Sequence, residues 1–109
     1  MKLLTVDTGE KIYNDCYLKV KNCERENGLL VELYSKSEGF IALLSNPGLR
    51  TTAKDIGLIC TTNYPWAMGF LAENNFAKTL AFAETFFGKK YIHVKFNREK
   101  MREYEEKEE

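Results

Sequence analysis

Histidine, cysteine and proline are scarce in this chain, and the scarcity narrows the classes of function it can serve. The single histidine is His93, and the three cysteines are Cys16, Cys23 and Cys60. No two cysteines stand in C-x-x-C spacing, and zinc ordinarily takes four Cys, His, Asp or Glu ligands in close pairs. Neither a metal nor any other cofactor is therefore expected. An odd, widely spaced set of thiols also argues against a disulfide framework. Cys16 and Cys60 read as small apolar strand residues in a reducing cytosol. Long apolar runs are missing as well: no stretch approaches eighteen uncharged apolar residues, and Met1 to Asp7 is too short and too polar for a signal peptide. The expectation is a cytoplasmic protein with no membrane contact. Net charge is absent too, because sixteen basic residues balance sixteen acidic ones. No global field draws the chain to nucleic acid or anionic lipid.

Aromatic side chains are plentiful. Seven phenylalanines, six tyrosines and one tryptophan in 109 residues are enough to build one core without a disulfide or a metal. No repeat, Ser/Pro linker or low-complexity block divides the sequence. It reads as one α+β domain over 1–97 with a charged C-terminal helix or tail over 98–109. Alternation of Cys16, Leu18 and Val20 with Tyr17, Lys19 and Lys21 predicts a half-buried strand over 13–21. Asn27-Gly28 favours a turn, a second strand runs over 29–34, and Phe40 to Leu44 predicts a central strand buried on both faces. These three form an antiparallel meander. Asn46-Pro47-Gly48 opens a loop, and a fourth strand covers 56–61. Pro65 suits the first position of a helix over 65–74, with Thr62 or Asn63 satisfying its first amides. Residues 76–87 carry both periods, and their alanines lean toward helix. Tyr91 to Phe96 alternates as a strand. The architecture expected is a mainly antiparallel sheet of four or five strands with one packed helix and a peripheral C-terminal helix.

The strings Thr61-Thr62-Asn63-Tyr64-Pro65-Trp66, Phe70-Leu71, Glu73-Asn74 and Phe96-Asn97-Arg98-Glu99-Lys100 occur in that order. Together they resemble an uncharacterised family of small proteins of Gram-positive bacteria, often encoded on phages and conjugative elements. Its members carry an Asn-x-Pro-Trp turn before a short helix and a Phe-Asn near the C-terminus. The likeness runs from about Asn46 to Lys100 and is weak before that. The family's Gly-rich stretch ahead of its last strand is replaced here by Leu80 to Phe87. The resemblance implies a genomic setting and transfers no catalytic residue.

Several constellations carry possible chemistry. Asn63, Tyr64 and Trp66 place an indole beside a rigid turn, which offers a preorganised contact surface. Trp66 also shares a helical face with Phe70, which favours a place in the core. His93 falls opposite Ile92, Val94 and Phe96 and is expected on the solvent side. Cys60 with His93 would make a nucleophilic pair, but no orienting third group or nucleophile motif accompanies them. Arg50, Lys54, Lys78, Lys89, Lys90 and Lys95, with Phe87 and Tyr91, outline a basic aromatic groove for a nucleotide or single strand, or else solvated loop charge. No Gly-rich phosphate loop or RNP-like string is present. Beyond Tyr104 nothing apolar remains, so loss of Glu105 to Glu109 is expected to leave folding unchanged.

The function expected is that of a small non-enzymatic binding protein of a phage or mobile element, which inhibits or modulates a host defence factor by direct contact with a protein partner. The binding residues would be Asn63, Tyr64, Trp66, Arg50, Lys54, Lys89, Lys90, Tyr91 and His93. Two other classes stay open. One is a sponge for a nucleotide signal, and the other is a weak binder of single-stranded nucleic acid.

Overall fold

A computed structural model describes residues 1–23, 28–45 and 55–106. Seven strands and two short helices follow one another among them: β1 Leu4–Asp7, β2 Ile12–Cys23, β3 Gly28–Ser35, β4 Gly39–Ser45, β5 Ile56–Cys60, α1 Ala67–Glu73, β6 Ala77–Phe86, β7 Lys89–Phe96 and α2 Arg98–Met101. A 3-10 turn over Arg102–Tyr104 follows α2. The class is α+β with mainly antiparallel strands. β3 is shared by two four-stranded wings, β1-β2-β3-β4 and β3-β5-β7-β6. It can serve both because its far edge divides: Val31 to Ser35 pair with β4, while Gly28 pairs in parallel with Ile56 of β5.

The meander β2-β3-β4 forms as its alternation predicts, with Leu18 opposite Leu33 and Val20 opposite Val31. These residues, Ile59, Val94 and Phe96 of the second wing, and Ala67, Phe70 and Leu71 of α1 form one core, which Phe76 and Met101 close. No helix is long and apolar enough to cross a membrane, among the described residues.

Four expectations are corrected. β4 hydrogen-bonds β3 alone, and Phe40 at its start is exposed. The strand buried on both faces is β5, all five of whose residues are buried. The helix begins at Ala67, two residues late. Pro65 lies in the preceding turn, α1 has no side-chain cap because its N-cap residue is Trp66, which carries no acceptor, and the Thr62 hydroxyl accepts the Lys90 amide. Residues 77–86 are strand rather than helix. A bulge sets Leu80, Ala81 and Phe82 against a single residue of β7, so Thr79 and Ala83 stand opposite Val94 and Ile92. Residues four apart share a face in a strand and nearly do so in a helix, so the two periods coincide at that spacing. Pairing with β7 overrides the alanine propensity.

The fourth correction concerns the C-terminus. Asn97 caps α2 by accepting the Lys100 amide, and the helix ends after one turn at Met101. β1 is only four residues long, so it covers β2 no further than Cys16 and leaves the outer edge of Leu18 open. The tail fills that edge: Glu105 bridges Leu18 in parallel, and the Glu106 amide donates to the Leu18 carbonyl at 2.8 Å. Arg98 and Glu105 add an ion pair of 3.0 Å at side-chain exposures of 24% and 15%. The backbone and this ion pair, with no apolar side chain, hold residues 105 and 106 in place.

Candidate binding face and basic cleft

β5 ends at Cys60, but its pairing with β7 continues into the turn that follows. The Thr61 amide donates to the Lys90 carbonyl at 3.0 Å, and the Lys90 amide donates to the Thr62 hydroxyl at 2.9 Å. The Tyr64 amide closes the turn on the Cys60 carbonyl. These bonds bring Asn63, Tyr64 and Trp66 to the same end of the sheet as Lys89, Lys90 and Tyr91.

Asn63 is exposed, while Tyr64 and Trp66 are half-buried. Tyr64 is fixed by the Leu43 amide, which donates to its hydroxyl at 3.4 Å, and by an edge contact with Trp66 at 5.9 Å between ring centres. Trp66 in turn meets Phe70 at 6.3 Å, and edge contacts continue through Phe76 to Tyr104. Trp66 therefore packs against the core and also lines a groove. That groove, of about 450 Å³, runs between the Thr62 to Trp66 turn and the β1-β2 hairpin, with Tyr13 and Ile41 in its wall and Glu10 on its rim.

The β6-β7 hairpin forms the rest of this end. Its two-residue loop has Phe87 at φ 51 and Gly88 at φ 76, the positive pair required of a type I′ turn. The Phe86 ring packs edge-on against Tyr91 at 5.7 Å, whereas Phe87 is 99% exposed. Lys89 and Lys90 beside it are also exposed. Burial and the neighbouring Cys60 thiol push the Tyr91 hydroxyl above the ordinary phenol range.

His93 does not face solvent. It is buried opposite Leu58, and its Nε2 lies 3.1 Å from Glu84 Oε1. Alternation assigns His93 to a face correctly, yet that face is covered at this point, since Ile56 and Leu58 are buried there too. Cys60 stands opposite Tyr91 rather than His93. Cys16 is buried, and desolvation, reinforced by Asp15, raises its thiol to about 11. Among the described residues no three His, Cys, Asp or Glu converge on a common point.

The basic residues that the sequence offers either as one groove or as solvated loop charge stand at two separate places. Lys90 stands opposite Thr85 near the hairpin tip, while Lys78 stands opposite Lys95 near the other end of the same two strands. Arg50 and Lys54 lie outside the described residues. In the sequence, Phe87 stands only as an aromatic accessory to the neighbouring lysines. The signal that would have raised its standing is Phe87-Gly88 between two alternating runs, a hairpin loop with an aromatic at its tip. Comparison with protein-family models, curated proteins and solved structures gives no match.

Proposed function

We propose that this chain is a small non-enzymatic binding protein of a phage or mobile element. In this reading it inhibits or modulates a host defence factor through the β6-β7 hairpin tip and the adjoining Thr62 to Trp66 groove. The setting comes from the resemblance carried by the Thr61 to Trp66 and Phe96 to Lys100 strings. The contact comes from one observation, the state of Phe87. A left-handed backbone in a bulky residue costs on the order of 1–3 kcal/mol, and Asn or Gly would take the same type I′ position far more easily. The ring recovers none of that cost within the chain, because it is 99% exposed. A rigid aromatic anchor at a protein interface gives the arrangement a use.

Magnitudes separate the candidate surfaces. Burying one Phe is worth about 2–3 kcal/mol and each lysine near an anionic leaflet about 1 kcal/mol, which together reach only about millimolar affinity for a membrane. A protein pocket that encloses the ring and offers carboxylates to Lys89 and Lys90 supplies far more contact. Substitution Phe87→Asn tests this reading. It relieves the backbone strain, so the variant is expected to melt at or above the parent's temperature. It is also expected to lose the protein that the parent retains from a Gram-positive bacterial lysate. Retention of the same protein by the variant would count against the proposal.

A further inference from the structure

The far end of the β6-β7 ribbon poses a separate question. Lys78 and Lys95 stand directly opposite each other across the two strands, and both are exposed. Like charges in that relation destabilise a sheet. No ion pair among the described residues relieves either of them. They border a cleft of about 540 Å³ whose other polar walls are Asn75, Asn97 and Arg98, with Ala77 and Phe96 supplying its apolar surface. Among the described residues no carboxylate lines it. Asn97 already spends its side-chain oxygen on the Lys100 amide, which leaves its NH₂ group as the end available to a ligand. Two ammonium groups and an amide donor around a space of this size, beside a guanidinium that Glu105 already holds at 3.0 Å, make a donor set suited to an anion with several oxygens.

We propose that this cleft binds a small phosphate-bearing anion. The charge pattern around it favours a compact ligand over a nucleic-acid strand. Arg98 is shared with an adjoining depression lined by Arg102, Glu103, Glu105 and Glu106, where the carboxylates pair with Lys2, Lys19 and Arg98 and leave no run of free cations for a continuing phosphate backbone. The chain as a whole has no net charge to compensate. Phe96 is buried and offers no face for stacking a base, so recognition falls on the phosphates. This site is independent of the hairpin tip and does not require the partner proposed there.

The test is isothermal titration calorimetry of the full chain at low salt with sodium triphosphate, ATP and a single-stranded oligonucleotide. Triphosphate and ATP are expected to bind saturably at one site. Lys78→Gln and Lys95→Gln should each weaken that binding by about tenfold, the effect of losing one charge-assisted bond. Lys95→Arg should retain it, and Lys36→Gln, in the distant β3-β4 turn, should leave it unchanged. Removing one of two facing charges should not lower the melting temperature of the Gln variants, so their loss of binding would not reflect unfolding. The proposal is overturned if no saturable binding occurs, if both Gln variants bind like the parent, or if the oligonucleotide binds more tightly than triphosphate.

Discussion

Asp15 shows how one side chain can hold a turn. Its two carboxylate oxygens accept the Ser35 hydroxyl at 2.7 Å and the Ser37 amide at 2.8 Å, and its carbonyl accepts the Lys36 amide. The bonds from Ser37 and Ser35 draw its carboxyl below the ordinary carboxylate range. A group whose folded pKa is depressed contributes stability above its unfolded value, and that contribution fades as pH falls through the folded one. Asp15→Ala should therefore melt below the parent at pH 7. The gap should close in acid, below the unfolded value of about 4, as a series of thermal melts would show. Trp66 gives a second expectation. A fully buried aromatic costs about 3–5 kcal/mol when cut to Ala and an exposed residue about 0.5 kcal/mol, so half-buried Trp66→Ala should cost about 2 kcal/mol in urea denaturation. At this scale the sequence shows which residues share a face but not whether that face is covered. Val94 and His93 on adjacent faces of β7 are both buried, and only the first was legible.

Elements whose period is unbroken were legible, and those that gain their order from a neighbour were not. β2, β3 and β7 carry plain alternation and lie where it puts them. β6 contains a bulge that shifts its register, which is a property of its pairing with β7. The tail is ordered by the backbone of β2 together with the Arg98–Glu105 and Lys19–Glu106 ion pairs, none of which follows from an apolar period. Truncation after Tyr104 would remove the Glu106 to Leu18 hydrogen bond and strip Arg98 of its Glu105 partner. It should cost about 1–3 kcal/mol in urea denaturation, where the sequence alone implied no loss. A tighter constraint sits where β5 crosses the core. A Cβ built on Gly57 would overlap the Ser45 hydroxyl and the Phe96 ring, both in the buried interior. Overpacking of this kind costs about 1–3 kcal/mol, so Gly57→Ala should lower the denaturation midpoint by a corresponding amount.

Across the whole molecule, balanced charge conceals a segregated surface. Lys89 and Lys90 flank an aromatic tip at one end of the β6-β7 ribbon. Lys78 and Lys95 face each other at the other, and carboxylates gather along the tail. Composition reports the sum, and only the pairing of β6 with β7 separates the parts. The Asn63 to Trp66 string was legible as a turn at a helix start, with a core place for Trp66 favoured over a contact surface. Its junction with Lys90 depends on a hydroxyl from Thr62 that no spacing rule marks. The proposed partner face is thus assembled from two segments that the chain separates by about twenty-five residues and the sheet makes adjacent. A photoreactive phenylalanine analogue at position 87, compared with the same analogue at exposed Phe40, tests this face most directly. The account predicts that irradiation of Gram-positive cells making each variant yields one discrete protein adduct from position 87 and none from position 40. Absence of an adduct at 87, or the same adducts from both positions, would contradict it.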